Sequence, residues 1–293
     1  PSTNVTQEQF SQQIKYILEN NIKVLALEDV IKILEDNEIF REKYVAFSVD
    51  DAYRSFYENA WPIFRKHSIP VTLFVSTNII DKNTRGYMSW DEIKQFIDEG
   101  GTVGQHTASH MHMPLNDIAD VKIDILNSHK SFIKNLGFIP KLFAYPYGES
   151  SIRIENLVKQ LGYEIAFSQY SSPISRNENI FRLPRFALNE EFGSLERFKL
   201  ILKAKPLMVE DVSFKDSVLN ADNLKFSFKT STAPKDINCY VNNLASLEKE
   251  NQGNVNHLII KNLKLGTRYR INCTHISEKG NVFWFGKMFK RIN

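Results

Sequence analysis

Apolar runs of strand length alternate with helical patterns over the first two thirds of this 293-residue chain. Such alternation builds βαβ units and a mostly parallel sheet. Helical patterns fall at residues 6–21, 28–35, 53–67, 89–99, 117–136 and 151–161. Strand-like runs fall between them at residues 24–27, 44–50, 70–75, 102–106, 141–145, 163–168 and 182–188. Thr6 with Gln9, and Ser89 with Glu92, have capping-box spacing. Six or seven units over roughly 205 residues suit a barrel or an open doubly wound sheet. The pattern changes at Lys205-Pro206. Beyond it come short alternating runs at 211–214, 224–229, 237–241, 257–261, 269–276 and 282–289, which read as an all-β sandwich. The expected division is therefore 1–205, an α/β catalytic region, and 207–293, a smaller β region.

Composition excludes several classes. With 37 basic and 34 acidic residues, net +3, nothing marks a nucleic-acid binder. No apolar run is long enough for a transmembrane helix. The chain begins at Pro1 rather than Met, as a processed product would, so the lack of a leader carries no weight. Cys239 and Cys273 allow one disulfide or two buried thiols.

The chemistry starts at the end of the strand YVAFSVD, where Asp50 and Asp51 are adjacent. Neighbouring strand residues point to opposite faces, so both carboxylates fit only where the strand opens into a loop. Two close carboxylates repel unless a cation or shared proton intervenes. A lone pair of this kind is usually a turn or a cap. Gly104-Gln-His106-Thr-Ala-Ser-His110 also follows a strand, and its i, i+4 histidines are a recurring metal-ligand pair. The carboxyl ends of parallel strands line one crevice, so the two motifs can meet there. Two imidazoles and one carboxylate leave open metal positions, as catalytic sites do. The second carboxylate is then free to act as a base. His112 reads as a solvated neighbour. Phe143-Ala-Tyr145-Pro146-Tyr147-Gly148 makes a tight turn after a strand and can aim a backbone N–H into the crevice. Arg185 in Arg182-Leu-Pro-Arg185 could pair with a catalytic carboxylate or bind substrate, or equally form a surface salt bridge. Tyr87, Met88 and Trp90 could wall a sugar cleft, although aromatics just before a helix more often fill a core.

Together these motifs resemble the polysaccharide deacetylases of carbohydrate esterase family 4, the NodB-homology domain, over about residues 5–203. The T-F-D-D motif of that family resembles Ser48-Val49-Asp50-Asp51. H-[ST]-x-x-H resembles His106-Thr107-Ala108-Ser109-His110, and R-x-P-Y-G resembles Ala144-Tyr145-Pro146-Tyr147-Gly148. The flanking Ile69-Pro-Val-Thr-Leu-Phe-Val75 and Met88-Ser-Trp-Asp-Glu92 look like the branch acting on poly-β-1,6-N-acetylglucosamine and similar exopolysaccharides, with peptidoglycan or a related glycan as further candidate substrates.

The resemblance implies a distorted (β/α)7-type barrel and a divalent metal on Asp51, His106 and His110. Zinc is the commonest such ion, with Co2+, Ni2+ or Fe2+ as alternatives. It implies that Asp50 is the base that deprotonates the attacking water and that the Tyr147 N–H holds the oxyanion. Tyr145, Pro146 and Trp90 are expected to touch an N-acetylated glycan, outside the cell, in the periplasm or at the cell surface. The motif-three arginine is Ala144 here, and Arg185 is the expected replacement. The family's late Leu-x-His acid has no counterpart, since residues 200–204 read LILKA. The β region is expected to contact glycan or a protein. Two rivals remain at this stage. One is a weak or inactive glycan-binding protein that retains the metal pocket. The other is a non-haem iron oxygenase, which shares the two-histidine, one-carboxylate set.

Overall fold

A computed structural model of the chain describes residues 4–35, 43–243 and 246–292. Its first region runs α1 (Gln7–Glu19), β1 (Lys23–Leu25), α2 (Val30–Glu35), β2 (Tyr44–Asp50), α3 (Trp61–Lys66), β3 (Val71–Val75), α4 (Thr77–Asp81) and α5 (Trp90–Asp98). It continues through β4 (Thr102–Gln105), α6 (Ile118–Leu136), β5 (Leu142–Ala144), α7 (Ile152–Gln160), β6 (Ile165–Phe167) and α8 (Leu195–Lys203).

The six strands lie in sequence order, every neighbouring pair parallel. Sequential order with helical crossovers winds the sheet in one direction, and it curls into a half-barrel. Central β3 is buried along its whole length, which is why it reads as a continuous apolar run. Both expected capping boxes are present, on Thr6–Gln9 and Ser89–Glu92. Gly137 ends α6 in the left-handed conformation.

The run at 182–188 is not a seventh strand. Leu183 forms a single bridge to Phe167, and Pro184 then interrupts the ladder because it has no N–H. The helix expected at 53–67 is broken by a π-turn, Phe56–Ala60, before α3. Pro62 removes the N–H that would have closed the turn. Helices α4 and α8 were not anticipated.

The second region packs two sheets over a core that includes Phe226, Phe228, Leu258, Ile271 and Phe289. One sheet has the order β10 (Asn238–Val241), β13 (Arg268–Ile276), β14 (Val282–Arg291), with β7 (Lys205–Pro206) and β8 (Val218–Leu219) pairing along β14. The other is β11 (Ser246–Gln252), β12 (Val255–Lys261), β9 (Leu224–Lys229). Residues 211–214 are not a strand but run beside β9, where the Ser213 N–H donates to the Ser227 carbonyl. Strand β11, SLEKENQ, was missed because an exposed edge strand carries charge instead of an apolar alternation. Cys239 and Cys273 are directly opposed on β10 and β13 and form a disulfide, resolving the alternatives left open by the sequence.

Candidate active site

Strands β2, β4 and β5 deliver the candidate residues to one edge of the half-barrel. Beyond each strand end the chain turns through left-handed backbone at residues other than glycine. These are Asp51 (φ 74°), Ala52 (55°), Thr107 (63°), His110 (57°) and Tyr147 (59°). Each such residue costs about 1–3 kcal/mol and persists only where its surroundings over-determine it. The turns are pinned accordingly. The Asp51 N–H donates to the Phe74 carbonyl at 2.9 Å, and the His106 N–H to the Val75 carbonyl at 3.0 Å. Asp124 of α6 accepts from the Ala108 and Ser109 N–H groups, while Thr107 Oγ1 accepts from the His110 N–H. Gly148 (φ 71°) has no alternative: a Cβ there would lie 2.4 Å from the Gln169 nitrogen.

Asp51, His106 and His110 place their ligand atoms within 4.8 Å of one another. Asp51 Oδ1 is 3.7 Å from His106 Nε2 and 3.3 Å from His110 Nε2. His106 is buried, and its Nδ1 lies 2.7 Å from the Ala144 carbonyl. That oxygen can only accept, so Nδ1 carries the proton and Nε2 keeps its lone pair for the cluster. Burial pushes the Asp51 carboxyl above its ordinary range, the Asp50 charge adding to this against the pull of His106. Burial chiefly holds His106 and His110 below the usual imidazole value. Imidazoles pushed toward their neutral form beside a carboxylate are the donors a divalent ion takes, so the donor set fits a metal.

Asp50 has a different partner. Arg185 Nη1 and Nη2 reach its two oxygens at 2.6 and 2.9 Å, a bidentate pair. The same guanidinium donates to Ser48 Oγ at 3.0 Å and to the Ser168 carbonyl at 2.9 Å. Burial alone would raise the Asp50 carboxyl, but Arg185 and the two histidines outweigh it and hold it below the ordinary range. Ala144, at the family's arginine position, is fully buried and lends its carbonyl to His106. Tyr147 packs edge-on against His110, with ring centroids 4.5 Å apart, and stacks on His112 at 3.9 Å. His112 is therefore not merely solvated; its Nδ1 also lies 2.8 Å from Glu149 Oε2.

The glycan contacts expected of Tyr145, Pro146 and Trp90 need correction. All three side chains are buried. The Tyr145 hydroxyl donates to the Phe181 carbonyl, and Trp90 donates to Asp81 while packing edge-on against Phe132. Each satisfies its polar end inside the protein, as buried aromatics usually do. Sequence reasoning missed Asp124 and Glu149, which belong to no motif of their own, and gave Ser48 no role although it opens the motif that ends in Asp50-Asp51.

A parallel half-barrel with one carboxylate and two histidines at its strand ends has the build of a hydrolytic enzyme. Residues 37–166 match the family described as polysaccharide deacetylase. A poly-beta-1,6-N-acetyl-D-glucosamine N-deacetylase of Staphylococcus aureus (strain MRSA252) is 26% identical over 201 residues, covering 64% of this chain and 69% of the relative. Among solved structures, the Streptococcus pyogenes deacetylase PplD in complex with acetate has a TM-score of 0.62 at 21% identity, covering 68% of this chain and 87% of that one. IcaB from Ammonifex degensii has a TM-score of 0.59 at 19% identity, covering 68% and 89%. Over residues 37–166 the chain is thus similar to polysaccharide deacetylases, and its half-barrel has the fold of the solved deacetylases.

Proposed function

We propose that this chain hydrolyses N-acetyl groups from an amino-sugar polysaccharide, an N-acetylglucosamine polymer being the substrate the relatives favour. The observation that carries the reading is the division of the carboxylate pair. Asp51 faces His106 and His110, whose burial disfavours the charged imidazole, while Asp50 is paired bidentately with Arg185. A divalent ion on Asp51, His106 and His110 would supply Lewis acidity and acidify water, from a pKa of 15.7 toward roughly 7. Two nitrogens and one oxygen as donors suit zinc, with cobalt, nickel or ferrous iron as substitutes.

The protein's own groups do the rest. Asp50 accepts the proton of the attacking water, and Arg185 fixes its two oxygens in one orientation. Water oxygen bonds to the acetyl carbonyl carbon, and the Tyr147 N–H faces the oxyanion that develops. The C–N bond then breaks, acetate departs, and the proton taken by Asp50 is available to the leaving amine. Arg185 supplies the brace that Ala144 cannot, which favours an active enzyme over a binding protein with a vestigial pocket.

The disulfide supports an extracytoplasmic location, and the boundary between the two regions is assigned to Lys205-Pro206. No helix among the described residues is long and apolar enough to cross a membrane. The test is acetate release from β-1,6-linked N-acetylglucosamine oligomers with added zinc, cobalt or nickel. Release matched by new free amines is expected; none with any metal, from folded protein, overturns the reading.

A further inference from the structure

The β13–β14 hairpin has one face turned toward the deacetylase domain. Register places Arg268 opposite Lys290, and Asn272 opposite Gly286, on that face. Arg268 Nη1 donates to the Tyr147 carbonyl, and its guanidinium carbon sits 5.6 Å from the Tyr147 ring centroid. Lys290 Nζ lies 2.8 Å from both oxygens of Glu149, two residues along the same turn. Both members of that ion pair are buried, at 3% and 2% exposure. Arg270 Nε donates to the Gln169 carbonyl at 3.0 Å. A Cβ on Gly286 would fall 2.0 Å from the Ser171 oxygen, so the backbones of the two regions meet there.

We infer that Arg268 is a positioning residue of the deacetylation site: it holds Tyr147 in the left-handed conformation that turns its N–H toward the reacting carbonyl. The inference rests on the function proposed above. Tyr147 is strained (φ 59°), and its ring is packed by His112, His110 and Arg268. Of these, Arg268 alone also grips the backbone, at the carbonyl of the same residue. Gly148, whose N–H donates to the Tyr145 carbonyl at 2.8 Å, closes the turn from the other side. The strained peptide is thus clamped between its own turn and a strand more than a hundred residues away. The sandwich is then a wall of the active site, and the Lys290–Glu149 pair anchors that wall beside it.

The experiment compares the full chain with Arg268→Ala, Arg268→Lys and, as a control on β12 of the other sheet, where Lys261 pairs with Glu248, Lys261→Ala. Because misplacing a catalytic group by about 1 Å can cost 10²-fold, Arg268→Ala is expected to lower kcat about 10- to 100-fold with KM, zinc content and Tm near wild type. Arg268→Lys keeps a donor for the carbonyl and should recover part of the loss, and Lys261→Ala should match wild type. Hydrogen exchange of the peptide spanning residues 145–150 should speed up in Arg268→Ala while residues 102–106 stay protected. Wild-type kcat in Arg268→Ala, or a fall in Tm with kcat per folded molecule unchanged, overturns the inference. If the wild-type chain releases no acetate, the proposed activity fails instead. Hydrogen exchange then decides the positioning claim alone, and unchanged protection of residues 145–150 overturns it.

Discussion

The half-barrel and the sandwich are built by different means. The half-barrel buries continuous apolar strands and gathers strained backbone at one edge, where the ligand-type side chains converge. The sandwich alternates buried and half-exposed residues along β12 and β13 and ties β10 to β13 through its disulfide. Every motif that points to chemistry lies in the first region. Yet the second places an arginine and a lysine on the third motif's turn. Chemistry and the rigidity it needs are thus supplied by separate parts of the chain.

The sharpest way to break that division is to remove a ligand. His106→Ala or His110→Ala should lower metal affinity by more than the roughly 10- to 100-fold that loss of an outer-shell partner costs, with acetate release abolished. Elemental analysis checks this, and full occupancy in either variant would strike that residue from the ligand set. Next comes Asp50→Asn, which removes only the base: kcat should fall about 10²–10⁴-fold while metal content stays unchanged.

Effects on the sandwich should be smaller and fall on stability. Replacing Cys239 and Cys273 together by serine opens a link across 34 residues. It should cost about 2–4 kcal/mol in urea unfolding and leave metal content untouched. A parallel loss of metal would show that the two regions are less separable than stated.

A pH-dependent effect concerns Lys287 on β14, where burial, aided by the Arg182 charge, lowers the ammonium pKa from 10.5 to about 7. Between those values the unfolded chain binds a proton that the folded chain does not, so stability should rise with pH across the window. Lys287→Met should flatten that rise, read as Tm at either end of the window, and an unchanged slope would assign it to another group.

Much of the half-barrel is legible because its signals are local. Strand runs, capping boxes and the glycine after α6 each depend on a few neighbouring residues. The Asp50-Asp51 and His106–His110 motifs are legible for the same reason: each is a short segment at a strand end. Trp90 and Tyr145 misled because an aromatic looks the same in sequence whether it lines a cleft or fills a core. Burial settles that, and both sit in the interior with their polar atoms satisfied. Strand β11 escaped because its partners, not its own residues, make it a strand.

The sequence by itself determined the alternation of strands and helices, the change of architecture near Lys205-Pro206, and which residue types stand at the strand ends. Tertiary structure decided the pairings. It gave Asp50 to Arg185, 135 residues away, left Asp51 to the histidines, and set Arg268 on the turn at Tyr147. Periodicity and capping act within a few residues and are written locally. Which distant groups meet depends on how the sheet curls and where the hairpin docks, and only the folded chain fixes those distances.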